Sequence, residues 1–357
     1  MNEQFRELIQ VALGNRQQME RPLSSGEWQE LYGQAQKQAL FGICMYGISK
    51  LPKEQKPEGQ LYWKWLAVAT QIQQQNRKVD EALKELAFLF DEHHVKYAVV
   101  KGQVASRYYP DPSFRQAGDI DFFVDRKDFA RAKQLITAEW GATYEGTARH
   151  HHIEFEYKGI PFEQHHALIR LYDKQNDNYW DRLVEKSYAI QKIDAVAVST
   201  LSPTLHSLYI FLHLYHHLLE LGVGLRQFCD WAAILHACTH DIDHKAIRQH
   251  LKVLGMERAY RACGAILINN LGLSAEEFTY ELNARDYRYA KRILEVVDYR
   301  GNMGKYNLKG GQHGMWHNLE AAGIKIAHFM KFMPLAPKFS CKWLLHEIKR
   351  KVEKKLR

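Results

Sequence analysis

Between Tyr97 and Val124 the chain reads Tyr-Ala-Val-Val-Lys-Gly-Gln-Val-Ala-Ser-Arg-Tyr-Tyr-Pro-Asp-Pro-Ser-Phe-Arg-Gln-Ala-Gly-Asp-Ile-Asp-Phe-Phe-Val. A short apolar strand ends at Lys101-Gly102, and a second strand carries two carboxylates. Side chains in a strand alternate faces with a period of two, so Asp119 and Asp121 share one face and Ile120 and Phe122 the other. Two ionised carboxylates side by side repel each other. A cation relieves that repulsion, and an all-oxygen ligand set favours Mg2+ or Mn2+. Taken alone, Asp-x-Asp equally describes a solvated strand edge. Its neighbours change the balance. A glycine at a strand end lets backbone N–H groups approach a phosphate, and Lys101 and Arg115 bring positive charge to either side. Phosphoryl and nucleotidyl transfer uses these parts.

The same elements, in this order, resemble the polymerase-beta-like nucleotidyltransferase superfamily. Its signature is an apolar strand, Gly-Gly or Gly-Ser, a short helix, then Asp-apolar-Asp/Glu-apolar. More closely, they resemble a bacterial family of uncharacterised nucleotidyltransferases, whose signature is met by Lys101-Gly102, by Tyr109-Pro110-Asp111-Pro112-Ser113-Phe114-Arg115 and by Gly118-Asp119-Ile120-Asp121. Gln103 stands where the superfamily has its second small residue. The resemblance implies an α+β fold: a polymerase-beta-like core of mixed sheet and helices, flanked by N- and C-terminal helical regions. It implies transfer of a nucleoside monophosphate from an NTP, ATP among them, to an acceptor hydroxyl, releasing pyrophosphate. Asp119 and Asp121 would hold two divalent cations, Mg2+ or Mn2+. Gly102 would admit the phosphates, with Lys101 and Arg115 offsetting charge and Gln103, Gly118 and His165 lining the nucleotide site. The acceptor stays open among a small molecule, a sugar, a protein side chain and an RNA end.

The superfamily places a third carboxylate on a later strand, and Glu163 in Pro161-Phe162-Glu163-Gln164-His165-His166 occupies the matching place. It would complete the metal site or take the acceptor's proton. Glu154 and Glu156, on the preceding alternating strand, are its rivals. His150-His151-His152 and His165-His166 admit a zinc hydrolase as a third reading, beside the transferase and a protein that binds nucleotide without transferring it. Adjacent strand residues face opposite ways, so a contiguous triplet cannot converge on one ion. His150 and His151 therefore read as a polar loop. His165 shares a face with Glu163. His213 and His217 are four apart on one helix but lack the acidic partner of a His-Glu-x-x-His motif.

The remaining chain reads as support. Residues 1–92 form helices, with Ser24-Ser25-Gly26-Glu27 as a capping box and a helix over Asn76–His93. Residues 93–200 form the catalytic domain. It contains a helix over Arg126–Trp140 stopped by Gly141 and strands over 152–157 and 160–169 around Lys158-Gly159. A polar, loop-like stretch follows over 173–188, with a short helix around Trp180–Val184. Residues 201–333 return to helix at Ser202-Pro203. Arg226 and Asp230, four apart, are placed to pair on one helix face. Lys305–Gly314 reads as a mobile glycine-rich loop. Residues 334–357 form a basic amphipathic tail, with Trp343, Leu344, Ile348 and Val352 on one face, suited to packing on the body, to contact with an anionic membrane surface or to binding RNA.

Charge sharpens this division. The tail holds eight Lys or Arg against Glu347 and Glu353, a surplus of six out of the chain's net +8. The body is nearly neutral, which argues against a broad nucleic-acid groove. The five cysteines form no Cys-x-x-Cys pair and indicate neither a disulfide framework nor a cysteine zinc site. Met-Asn-Glu-Gln-Phe-Arg-Glu lacks a basic-then-apolar leader, and a cytoplasmic protein is expected.

Overall fold

The structure is a computed structural model and describes residues 1–145, 152–308 and 315–355. Among the described residues seven strands make one mixed sheet: β1 (Tyr97–Val100), β2 (Ile120–Val124), β3 (Tyr144–Glu145), β4 (His152–Tyr157), β5 (Ile160–His165), β6 (Tyr188–Ile193) and β7 (Val196–Leu201). Their order across the sheet is β3-β4-β5-β2-β1-β7-β6. β1 and β2 pair antiparallel, while β2–β5 and β1–β7 are parallel. β1 and β2, at the centre, are buried along their whole length, as strands covered on both faces must be. The β4–β5 hairpin closes at Lys158 and Gly159, with φ of 52° and 74°. Positive φ at both central residues suits the right-handed twist of a two-residue hairpin.

Fourteen α-helices surround this sheet among the described residues. They are α1 (Glu3–Ala12), α2 (Ser25–Gln38), α3 (Phe41–Lys50), α4 (Gly59–Glu92), α5 (Gly102–Ser106), α6 (Arg126–Trp140), α7 (Lys174–Lys186), α8 (Pro203–Leu219), α9 (Leu225–Ala237), α10 (His244–Leu254), α11 (Glu257–Leu271), α12 (Ala284–Arg300), α13 (Met315–Phe332) and α14 (Pro337–Lys355). The fold is α+β, with helical regions before and after the sheet, as expected.

The period-two alternation of β1 sorts its residues between two cores. Tyr97 and Val99 pack with Phe122, Phe162 and the Val79, Leu83 and Phe90 stripe of α4. Ala98 and Val100 turn the other way, into a larger core that takes in both helical regions, from Trp28 and Trp65 to Tyr209, Trp231 and Trp343. Asp119 and Asp121 alternate with Ile120 and Phe122, so they face this second, helical side. That face, roofed by α8 and α9, is where a cleft opens.

Several expectations are corrected. The helix placed at 76–93 begins 17 residues earlier, since α4 runs 34 residues from Gly59. Trp65, Ala69 and Ile72 keep its buried stripe through a glutamine-rich stretch that hides the pattern. The loop-like stretch after Asp173 is helix α7, capped by the Asp173 side chain, which accepts from the Gln175 N–H. Only Trp180 and Val184 of α7 are buried, so its polar outer face dominates the sequence. β5 stops at His165, short of 169, and the edge hairpin β6–β7 was not anticipated. The capping box at Ser24 and the stop at Gly141 form as read. His150, His151 and the 309–314 part of the glycine-rich segment lie outside the described residues. Cys44, Cys229, Cys238 and Cys263 are buried free thiols and Cys341 is an exposed one. Among the described residues no helix is long and apolar enough to cross a membrane.

One close approach pins the segment between β1 and β2. A Cβ added at Gly42 in α3 would stand 2.0 Å from the carbonyl oxygen of Phe114, the residue before Arg115. Gly42→Ala should therefore cost about 1–3 kcal/mol through forced displacement, read as a lower urea midpoint. An unchanged midpoint would show that α3 and this segment move apart freely.

Candidate active site

Parallel pairing sets the floor of the cleft. Asp121 on β2 stands beside Glu163 on β5, and paired residues present their side chains to the same face. Asp119 lies two residues before Asp121. One carboxylate oxygen from each of the three falls within 4.8 Å of the others. Glu154 lies a strand further out, opposite Glu163 on β4, with its side chain 60% exposed and 3.1 Å from His152. Glu156 is exposed opposite Pro161.

An ammonium and an imidazole lean on one of these carboxylates. Lys101 Nζ is 2.7 Å from Asp121 Oδ1. His165 Nε2 is 3.0 Å from the same oxygen and 3.2 Å from Glu163 Oε2. Burial opposes ionisation of Asp121, but the Lys101 ammonium and then the His165 hydrogen bond outweigh it and hold the carboxyl far below its usual range. Asp119 goes the other way, pushed up to about 6, first by the Asp121 charge and then by burial. One ammonium does not neutralise three carboxylates. The uncompensated charge and the hard oxygen donors together fit a divalent cation.

Lys101 is held in an unusual backbone state, with φ 55° and ψ −145°. A non-glycine residue there stores strain that its surroundings must hold. Its N–H donates to His206 Nε2 at 3.2 Å, and Thr200 on β7 donates to the adjoining Val99 carbonyl at 2.7 Å. His206 is fully buried, and burial pushes its pKa down to about 4. It is therefore neutral and able to accept. Lys101 Nζ also lies 3.3 Å from His213 Nε2, which is 3.1 Å from His217 Nε2. The ammonium thus bridges the sheet floor and the α8 wall. Gly102, at φ +39°, would bring a Cβ to 3.2 Å from the Asp119 carbonyl, so glycine keeps the two motif halves close.

The cleft holds about 900 Å3. Gly118 and the three carboxylates line it below, Tyr209 and His213 on one side, and Arg226 on another. The basic tail closes the far wall, with His346 and Arg350 facing in. It is anchored by buried Trp343, by Glu347 with Lys325 at 2.6 Å and by an ion pair of Lys342 with Asp173.

Three expected contacts are revised. Gln103 points away from the cleft, and its amide donates to Asp80 Oδ1 at 2.6 Å, against α4. Arg115 reaches the cleft edge, but Asp230 takes its guanidinium at both oxygens, each at 2.7 Å. Tyr109 O–H donates to the same carboxylate at 2.7 Å. Asp230 therefore pairs with Arg115 across the fold, and Arg226 donates instead to the Gln116 carbonyl at 3.2 Å. His165, 2% exposed, is occupied with two carboxylates. The cleft positions of Arg226, Tyr209 and His346 went unassigned as ligand contacts. The spacing of Arg226 and Asp230 was the only trace of any of them.

Asp230→Ala would leave a buried guanidinium unpaired. It should cost about 3–5 kcal/mol, whereas Arg115→Met/Asp230→Leu should lose far less; equal losses in denaturant titrations would refute the pair's role. His206 gives a pH dependence. Its folded pKa of about 4 lies below the ordinary 6.5, so between these values the unfolded chain binds more protons and stability falls as pH is lowered. The full difference is worth about 3 kcal/mol. His206→Gln keeps an acceptor and cannot titrate, so its Tm should drop less than the wild type's between pH 7 and pH 4.5; parallel curves would remove His206 from this account.

Comparison with known proteins adds two findings. No curated protein matches the chain. Among solved structures, an antigenic nucleotidyltransferase-like protein from Paracoccidioides brasiliensis aligns with 58% of this chain and 96% of its own, at 14% identity and a TM-score of 0.36. The family described as "Uncharacterised nucleotidyltransferase" matches residues 24–270. That span takes in every strand of the sheet, Lys101-Gly102 and all three clustered carboxylates, and on it the chain belongs to the uncharacterised nucleotidyltransferase family.

Proposed function

We propose that this protein transfers a nucleoside monophosphate from an NTP such as ATP to an acceptor hydroxyl, releasing pyrophosphate, with Mg2+ or Mn2+ held by Asp119, Asp121 and Glu163. The observation that carries the reading is the meeting of those three carboxylates within 4.8 Å at the floor of a cleft, in a chain of this family. When bound, the divalent cations supply Lewis acidity at the phosphate and acceptor oxygens.

The chain's own residues bind and orient. His165 fixes Asp121 and Glu163 relative to each other through one imidazole nitrogen. Lys101 keeps Asp121 ionised and carries positive charge to the phosphate side of the cleft. Gly102 leaves room for a phosphate beside the β1–α5 turn. Arg226 takes over the charge-offsetting role expected of Arg115. Among the described residues its Nε is a buried donor without a partner, and a phosphate oxygen would satisfy it. Arg115 acts one step back, holding the segment before Gly118 against α9. The walls of α8 and α14 exclude water and leave space for the acceptor.

Two measurements test this. Metal-dependent pyrophosphate release should fall by about 1,000-fold or more in Asp119→Ala/Asp121→Ala, with labelled NTP used to trap the acceptor from a host extract. Binding without turnover across those extracts would replace the transferase with a nucleotide-binding protein, and stoichiometric zinc in an NTP-inert protein would favour a hydrolase. Arg226→Ala should raise the KM for NTP by about 10- to 100-fold, the worth of one charge-assisted contact, while sparing the fold; an unchanged KM would remove Arg226 from the phosphate site.

A further inference from the structure

A second set of ligand atoms adjoins the carboxylates, and its chemistry is different. His152 on β4 stands opposite His165 on β5, and Glu163 precedes His165 by two residues. Residues paired across strands, and residues two apart on one strand, face the same way. All three side chains therefore turn into the cleft, which they line. One ligand atom from each of His152, Glu163 and His165 lies within 4.8 Å of the others. The His152 and His165 ring centres are 5.0 Å apart.

Two further features suit a metal site. Glu154 Oε1 is 3.1 Å from His152 Nε2, a carboxylate–imidazole contact of the kind that orients metal-binding histidines. Glu163 has two oxygens and belongs to both clusters, so it can face an ion on either side.

The donor sets differ in softness. Three carboxylates suit Mg2+, which keeps oxygen ligands and water. Two imidazoles with one carboxylate suit the borderline first-row ions of the Fe2+, Co2+ and Zn2+ class. We propose that His152, Glu163 and His165 form a transition-metal site beside the all-carboxylate site, with Glu163 common to both. The inference rests on the transferase reading only for its use there, which is to set the cation preference of the transfer. Ion binding itself needs no nucleotide.

Cobalt(II) is the probe, because its visible absorption reports nitrogen ligation. The full-length protein in excess Mg2+ should bind one Co2+ with a visible band. His152→Ala should weaken Co2+ binding at least ten-fold and bleach the band, and Asp119→Asn should leave the band in place. No Co2+ binding, a band untouched by His152→Ala, or a band lost in Asp119→Asn or His213→Ala but kept in His152→Ala would each overturn the proposal. His152 lies at the mouth of the cleft with its side chain 20% exposed. Should His152→Ala still fail to fold, X-ray absorption on Co2+-loaded wild type decides: imidazole scattering is expected, and an all-oxygen shell refutes it. An intact Co2+ signal with no NTP turnover in any host extract would sink the transferase and leave this site standing. Turnover without the signal would sink only the site.

Discussion

Three carboxylates gathered at one corner of a sheet set the problem that the surrounding structure answers. Two like unit charges about 4 Å apart repel by roughly 4 kcal/mol at the effective dielectric of a protein surface, and Asp119, Asp121 and Glu163 make three such pairs. Among the described residues one ammonium, that of Lys101, stands against them. Lys101 reaches Asp121 from a backbone conformation that few non-glycine residues adopt, and that conformation is held from behind by His206 and the β1–β7 pairing. His213 of α8, next to it, stays neutral, since burial and then the Lys101 charge push its pKa far down. The corner remains short of positive charge, the condition under which a divalent cation binds.

The roof of the cleft depends on a second electrostatic device. Asp230 on α9 receives two hydrogen bonds from Arg115 and one from Tyr109, all away from water. A buried carboxylate is tolerable when its oxygens are this fully satisfied. The residues it collects bracket the segment between β1 and β2, so the same contact that seats α9 on the sheet also fixes the approach to Gly118-Asp119. The family's Tyr-Pro-x-Pro-x-x-Arg segment therefore reads as architecture at both ends. On the proposed function, Arg226, one turn before Asp230 on the same helix, joins Lys101 in meeting a phosphate.

Legibility followed pattern strength. The Asp-x-Asp strand, the Lys158-Gly159 hairpin, the Ser24 cap and the Gly141 stop each rest on local stereochemistry, and each formed where it was read. The first half of α4 and all of α7 outside Trp180–Val184 were hidden because long polar faces outnumbered a few buried residues. β6 was hidden because an edge strand buries little, Ile193 alone among its six residues. Gln103 and Arg115 carried motif positions correctly but not their partners: Asp80 is 23 residues from Gln103, and Asp230 is 115 residues from Arg115.

Local sequence pattern placed Asp119 and Asp121 on one face of a strand and Lys101-Gly102 before them, while Glu163 stayed one of three candidates beside Glu154 and Glu156. Strand periodicity and turn chemistry act over a few residues and leave their mark on neighbours. The tertiary structure alone decided that β5 lies parallel to β2 in the register that sets Glu163 beside Asp121, that α8 brings its histidines over Lys101, and that the basic tail folds back to wall the cleft. Those outcomes depend on burying two faces of one sheet against helices from both ends of the chain. Contacts of that range follow from packing the whole molecule rather than from any stretch of it.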